Sequence, residues 1–144
     1  MKYRLSNNKI LLTLDKGDLI NKTFEDFSEV NNIAFAWLNG IGAIEDPEIG
    51  IYSIDKKLYH QKKFQGMYEL TSLVGNITIK DGKFFSHTHI TFSDSNYNVY
   101  GGHLFDTKIS AAGEFIMIPD KQELCREMNP TIGLSLWCLE NKFG

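Results

Sequence analysis

The sequence has 144 residues, 42% of them hydrophobic and 23% charged, which is the composition of an ordinary globular protein. A chain of this length buries roughly two thirds of its unfolded surface when it folds. Residues 1–144 are therefore expected to form a single domain. The 15 basic and 18 acidic residues give a net charge of -3, which argues against a protein that mainly neutralises nucleic-acid phosphates.

Three local features bear on the compartment of the protein and on its partners. The amino-terminal apolar run, ILLTL, is too short to span a membrane and has no cleavage pattern beside it. Cys125 and Cys138 have neither the number nor the spacing of a disulfide framework or a cysteine zinc site, so they are expected to be small buried residues. The lysines of DKKLYHQKKF are typical of the solvated end of a hairpin. We expect a cytoplasmic protein with no membrane partner.

In chain order, the first predicted elements are a hairpin and a helix. YRLSNNKILLTLDKGD predicts a strand or hairpin that turns at Asn7-Asn8. TFEDFSEVNNIAFAWLNG then predicts one long helix over residues 23–39, capped by Thr23 and stopped at Gly40. The helical spacing of its apolar residues predicts a stripe that packs on a sheet, formed by Phe24, Phe27, Val30, Ala34 and Leu38.

The rest of the chain alternates short strand patterns with turn signals. The predicted strands are EIGIYSI, LYHQKKF, YELTSLVGNITIK, KFFSHTHITF, YNVYGGHLF, KISAAGEFIMIP and TIGLSLWCLE. DKQELCREMN, between two prolines, is expected to be a short helix or a loop. Many consecutive strands and one long helix indicate an α+β fold, with a mostly antiparallel sheet that is curled or barrel-like.

Three of the four histidines lie in FFSHTHITFSDSNYNVYGGHLF. Asp81-Gly82 is a strong two-residue hairpin signal, and strand alternation after it puts His87 and His89 on the same face. The same register places Asn76 opposite His87 and Val74 opposite His89, unless a bulge at Gly75 shifts the pairing. A following antiparallel strand can then return His103 to the pair.

Glycines precede the third histidine, and an amide faces the first. Gly101 and Gly102 permit a close backbone approach beside His103, and Asn76 shares the histidine face. Asn76, Gly101 and Gly102 are therefore candidate contacts for a small ligand.

Three imidazoles on one face suit a divalent metal such as zinc, with a fourth position left open for water or ligand. The metal ligands of this hypothesis are His87, His89 and His103. Histidines also alternate on exposed strands without binding anything, so the spacing alone leaves both interpretations open.

Several blocks resemble the PPC (plants and prokaryotes conserved) domain in the order found in that family. They are GIGA at 40–43, YELTSLVGNI at 68–77, HTHITFSD at 87–94, GGHL at 101–104 and GEFIMI at 113–118. The resemblance implies a homotrimeric domain of the stand-alone prokaryotic type and a metal held by the three histidines. Plant members carry an AT-hook for DNA, but its Arg-Gly-Arg-Pro core is absent here, so weak DNA binding is expected.

The PPC fold is similar to that of acetolactate decarboxylase, which also holds zinc with an H-x-H pair and a more distant histidine. This similarity implies an alternative function, a zinc-dependent lyase acting on a small oxo or hydroxy acid. A nearby carboxylate could then move protons, and Glu69 and Glu114 are the candidates. Each glutamate can equally be an ordinary strand residue, so the first function hypothesis remains a DNA-binding or regulatory protein with a metal or small-ligand site.

Overall fold

The computed structural model describes residues 1–139 as one helix and nine strands. The helix, α1, spans Ile20–Asn31. No helix in this part of the chain is long and apolar enough to cross a membrane. The strands are β1 (Lys2–Ser6), β2 (Lys9–Asp15), β3 (Ala36–Ser53), β4 (Leu58–Lys63), β5 (Met67–Lys80), β6 (Lys83–Ser93), β7 (Val99–Pro119), β8 (Cys125–Asn129) and β9 (Leu134–Trp137).

The helix predicted over residues 23–39 exists, but both of its predicted ends were wrong. It begins after Leu19, and Thr23 is not its cap, because the Thr23 amide donates to the Leu19 carbonyl inside the first turn. It ends at Asn31 because Asn32 adopts the left-handed conformation, with φ of 52°, which asparagine tolerates well.

The residues after the helix form a strand instead of a fourth helical turn. From Ala36 to Ile41 burial alternates strictly between buried and exposed, which is the period of a strand. Val30, predicted to face the core, is 85% exposed. The helix buries its apolar side chains through Ile20, Phe24 and Phe27, and the Phe24 ring packs edge-on against Phe115 of β7 at 5.1 Å.

The strands follow the order β1-β2-β7-β3-β5-β8-β9, while β4 pairs with β3 and β6 pairs with both β5 and β7. All of these pairings are antiparallel except that of β5 with β8, which is parallel. The α+β class is therefore confirmed, as a mixed sheet that is mainly antiparallel, whereas the barrel-like closure expected from the sequence is not confirmed. The core combines buried residues of α1, such as Phe24, with buried residues of the sheet, such as Leu38 and Phe115.

Two hairpin predictions are confirmed. Asn7 takes a positive φ in the turn between β1 and β2, and Asp81 and Gly82 both do so between β5 and β6. The segment DKQELCREMN was wrongly expected to be a helix or a loop, because its second half is β8. The last predicted strand, residues 131–140, is shorter than expected as β9, and residue 140 lies outside the described part of the chain.

Candidate metal centre

Two neighbouring strands position the three histidines. The tight turn at Asp81-Gly82 sets the register of β5 and β6, which places Asn76 opposite His87 and Val74 opposite His89 as predicted. On the other edge of β6, His89 is the direct partner of His103 in β7. Strand alternation and pairing therefore bring all three imidazoles to one place.

The three rings converge with the geometry of a metal site. Their centroids are 5.3 Å apart for His87 and His89, 5.2 Å for His87 and His103, and 5.5 Å for His89 and His103. With Zn–N bonds of about 2.0–2.1 Å and tetrahedral angles, two bound imidazole centroids lie about 5.2 Å apart. One ligand nitrogen from each ring lies within 4.8 Å of the others, so the donor set fits a single divalent ion.

The remaining ring contacts differ between the histidines. The Nδ1 atom of His103 is buried and has no hydrogen-bond partner among residues 1–139, and its ring stacks on Tyr59 with centroids 4.9 Å apart. The Nδ1 atom of His87 lies 3.0 Å from Nη2 of Arg126. A guanidinium only donates, so this nitrogen of His87 accepts and the neutral ring carries its proton on Nε2.

Burial keeps the three imidazoles neutral. It lowers the pKa of His87 to about 4, with a further contribution from the positive charge of Arg126. Burial likewise lowers the pKa of His103 to about 4 and lowers the pKa of His89. Metal ions bind the neutral ring, so all three side chains are in the required protonation state at neutral pH.

A cavity of 440 Å³ adjoins His87 and His103 at the point where β6 and β7 separate. Asn21 of α1 bridges this fork. Its Nδ2 donates to the carbonyls of Leu104 and Phe105, each at 3.1 Å, and its Oδ1 accepts from the hydroxyl of Thr88 at 2.6 Å. The helix therefore fixes the separation of the two histidine-bearing strands.

Two carboxylates line the cavity on the side of the helix. Glu25 accepts from both the amide and the hydroxyl of Ser86, at 2.9 and 2.7 Å. Asp106 accepts from the amides of Asn21 and Thr107, at 3.1 and 2.8 Å, and burial raises its pKa. Both groups are therefore engaged in holding the helix and the strands together.

The model of the Plants and Prokaryotes Conserved (PCC) domain matches residues 1–119 of the chain. The chain belongs to this family. This confirms the resemblance to the PPC domain, as the family is also abbreviated. No curated protein matches the sequence.

Solved structures of the same fold come from bacteria and archaea. A Pyrococcus horikoshii plant- and prokaryote-conserved (PPC) protein is 31% identical, with a TM-score of 0.85 over 99% of this chain and 97% of its own. A metal-containing protein of Archaeoglobus fulgidus is 34% identical, with a TM-score of 0.84 over 96% and 97%. A Bacteroides thetaiotaomicron protein named a "putative DNA binding protein" is 29% identical, with a TM-score of 0.90 over 94% and 95%.

The three residues predicted to contact a small ligand in this PPC protein do not share one environment. Asn76 is buried beside the histidines, and its Oδ1 accepts from Arg126 at 2.9 Å. Gly101 and Gly102 sit within the sheet, where an added Cβ would lie 2.9 Å from a neighbouring carbonyl oxygen in each case. They permit close strand packing, and neither is among the residues that line the cavity.

The two glutamates proposed as catalytic candidates are not brought to the histidines. Glu69 is exposed on β5, opposite Ser93, and Glu114 is exposed on β7, opposite Thr13. Neither lines the cavity. The fourth histidine, His60, is exposed on β4, outside the cluster.

Sequence reasoning missed Arg126, Asn21 and Tyr59. Arg126 lies in the segment that was expected to be a helix or a loop, beyond the 119 residues matched by the family model. Its contact with His87 depends on the parallel pairing of β8 with β5, a long-range contact that no local pattern reveals. The only early signal was that the chain has just two arginines, Arg4 and Arg126.

The prediction that Cys125 and Cys138 are buried was also wrong. Both are half-buried, and they lie close together. The Cys138 amide donates to the Cys125 carbonyl at 3.0 Å across β8 and β9. Ligand atoms of Cys125, Glu127 and Cys138 lie within 4.8 Å of one another. The Cys125 side chain raises the pKa of the Cys138 thiol to about 12, so Cys138 is protonated at neutral pH.

Proposed function

We propose that this PPC protein binds one divalent metal ion through His87, His89 and His103 and holds a small ligand in the adjoining cavity. The convergence of the three rings, with centroids 5.2–5.5 Å apart, is the observation that carries the proposal. The buried Nδ1 of His103, which has no hydrogen-bond partner in the described part of the chain, supports it, because burying a polar atom without a partner is unfavourable.

Zinc is the ion that the donor set favours. Three neutral imidazoles with no fourth protein ligand among the described residues are typical of open zinc sites. The bound ion would supply a Lewis acid with one position available to water or ligand. The name of the Archaeoglobus fulgidus relative, a metal-containing protein, adds support.

The proposed cellular role is regulatory, with residues 1–144 acting as one PPC domain in a homotrimer. Relatives named as DNA-binding proteins support a connection with DNA. The net charge of -3 makes direct duplex binding weak, so DNA contact is proposed to involve a partner. An exposed apolar group on β3, β5 and β7 supports self-association, formed by Trp37, Val74 and Ile118.

The alternative function is a zinc-dependent lyase that acts on a small oxo or hydroxy acid. An open metal position beside a 440 Å³ cavity favours it. Against it, Glu69 and Glu114 lie away from the cavity, while Glu25 and Asp106 are occupied by Ser86 and by backbone amides. Among residues 1–139, the two carboxylates that line the cavity both serve the packing of the helix on the strands, so binding is the better supported function.

Zinc titration by calorimetry, with elemental analysis of gently purified protein, tests the proposal. The wild type is expected to bind one zinc ion per chain, and His89→Ala to lose at least about 100-fold in affinity. His60→Ala, which changes a histidine outside the cluster, should bind as the wild type does. Equal zinc affinity in His89→Ala and His60→Ala would contradict the proposed site, and metal-dependent turnover of an oxo acid would favour the lyase.

A further inference from the structure

Arg126 is a buried cation with no counter-ion among residues 1–139. Its side chain is 9% exposed, and the ion pairs within residues 1–139 involve only the amino terminus and Lys22. Its hydrogen bonds go to neutral groups, namely the Thr78 hydroxyl, the Ser135 carbonyl, the Asn76 amide oxygen and Nδ1 of His87. An isolated buried charge is costly, so an anion at this position would stabilise the protein.

A second cation lies beside the first. Lys80 of β5 is the register partner of Arg126 in β8. Both side chains lie over the Phe85 ring, with Nζ of Lys80 4.9 Å and Cζ of Arg126 5.6 Å from its centroid. Like charges placed opposite one another repel. Both residues line the cavity next to the histidines, together with Phe85.

Metal binding would release a donor of Arg126. A neutral imidazole accepts the hydrogen bond from Arg126 only while Nδ1 has a free lone pair. If His87 binds an ion through Nδ1, this lone pair is used, and if it binds through Nε2, Nδ1 must carry the proton. In both cases Nη2 loses one of its two acceptors and keeps only the Asn76 amide oxygen, and a further positive charge arrives beside it.

We propose that Arg126, with Lys80, forms a binding site for a small oxyanion, a carboxylate or a phosphate group, beside the three histidines. The charges of Arg126 and Lys80 attract either group, and Arg126 keeps one N–H of Nη1 free and regains one of Nη2 when His87 releases it. The 440 Å³ cavity has the size of a small-molecule site. The position of the anion next to a metal rests on the proposed function, whereas the need of Arg126 for a counter-ion does not.

The first test uses chelator-treated protein, titrated separately with sodium lactate and with inorganic phosphate. The wild type is expected to bind one of these anions saturably, one per chain, and the two titrations distinguish carboxylate from phosphate. Arg126→Gln should weaken binding at least tenfold, and Lys80→Gln several-fold. Arg4→Gln, which changes the exposed second arginine on β1, should leave binding unchanged.

Circular dichroism identifies any variant that fails to fold. If Arg126→Gln does not fold, Arg126→Lys decides instead, because it keeps the charge but loses the guanidinium and its free N–H, and it should still weaken binding. Absence of saturable binding of both anions to the wild type would overturn the proposal. Binding that is equal in the wild type and in the folded Arg126 and Lys80 variants would also overturn it.

The second test titrates zinc at buffered free concentrations, with and without the anion that the wild type binds in the first test, for example lactate. Binding of the two ligands is reciprocal, so lactate should tighten zinc binding in the wild type. In Arg126→Gln this effect should disappear, and zinc should bind more tightly than to the wild type without lactate, because a competing donor and a positive charge are gone. A wild type that binds lactate but no zinc would contradict the metal site and leave the anion site standing.

Discussion

His89 and His103 are direct partners in the pairing of β6 with β7, and they form its last pair before the strands separate. The site therefore depends on what holds the two strands at this fork. The helix does so through the buried side chain of Asn21, which contacts Thr88 on one strand and the backbone of the other. Packing of the helix is thus coupled to the geometry of the histidines.

Replacement of Asn21 by alanine tests this coupling. Asn21→Ala leaves one hydroxyl and two carbonyl groups without their partner, so it should lower the free energy of unfolding by about 2–4 kcal/mol. It should also weaken zinc binding, because the fork is no longer fixed. Urea denaturation of metal-free protein and zinc titration measure the two effects.

Asn31→Ala is the matched control in the same helix. Within residues 1–139 the Asn31 side chain makes one hydrogen bond, to the carbonyl of Phe27, so its loss should cost less than about 1 kcal/mol and leave zinc binding unchanged. Equal destabilisation by both substitutions would show that Asn21 does not have the bridging role described.

The stability of the metal-free protein should depend on pH through the half-buried side chains of His87 and His103. The pKa of His87 and that of His103 are about 4 in the folded state, against 6.5 ordinarily. Between these values the unfolded chain takes up protons that the folded protein does not, so stability is lost as pH falls from about 6.5 to about 4. Urea midpoints across this range measure the loss.

Carboxylates also titrate near the lower end of this pH range. A comparison with a variant therefore isolates the contribution of the histidines to the pH dependence of stability. His87→Gln/His103→Gln lacks both depressed groups and should show a shallower loss of stability between about pH 6.5 and 4. Parallel pH profiles for the wild type and this double variant would contradict the assigned burial effect.

The zinc affinity, like the stability of the metal-free protein, should fall as the pH falls. Because burial lowers the pKa of all three histidines, protons compete for the folded site only at lower pH than for free imidazole. Zinc affinity should change little between about pH 7.5 and 6 and fall steeply towards about pH 4. Titrations at several pH values check this, and a steep loss already near pH 6.5 would contradict it.

The histidine cluster was predictable because its causes are local. The turn at Asp81-Gly82 fixes the register of β5 and β6, and alternation then assigns His87 and His89 to one face. The helix end was not predictable in this way, because IAFAWL satisfies helical spacing and strand alternation equally well. Pairing with β5 and β7 on both sides selects the strand.

Arg126 could not be predicted from any local pattern. Its position depends on β8, which contacts the sheet through the parallel pairs Ile79 with Cys125 and Lys80 with Arg126. Parallel pairing joins distant segments and has no turn signal in the sequence. The surroundings of the histidines, unlike the histidines themselves, are therefore a property of the tertiary structure.

Assembly as a trimer is the next expectation. Trp37 and Ile118 are register partners on β3 and β7 and are 40% and 45% exposed, and Val74 of β5 is 39% exposed. Exposed apolar groups of this kind favour association between copies. Light scattering should return the mass of three chains, and Ile118→Lys should reduce it by placing a charge in the contact.

Val99→Lys is the control on the same strand, because Val99 is exposed at the other end of β7. It should leave the mass unchanged. A monomer mass for the wild type across micromolar concentrations would show that the family resemblance does not extend to assembly, and a trimer unaffected by Ile118→Lys would place the contact elsewhere.

The last prediction concerns duplex DNA, which the isolated protein should bind weakly or not at all at physiological salt. The net charge is -3, and the one lysine-rich segment is partly committed to contacts within the chain. Lys57 donates to the Pro130 carbonyl at 2.7 Å, and Lys62 lies over the Phe64 ring at 4.4 Å. Lys56 and Lys63 alone do not form the basic stripe that phosphate contacts require. Fluorescence anisotropy with a labelled duplex checks this. Nanomolar binding that Lys56→Glu and Lys63→Glu abolish would show instead that several subunits combine these lysines into a basic surface.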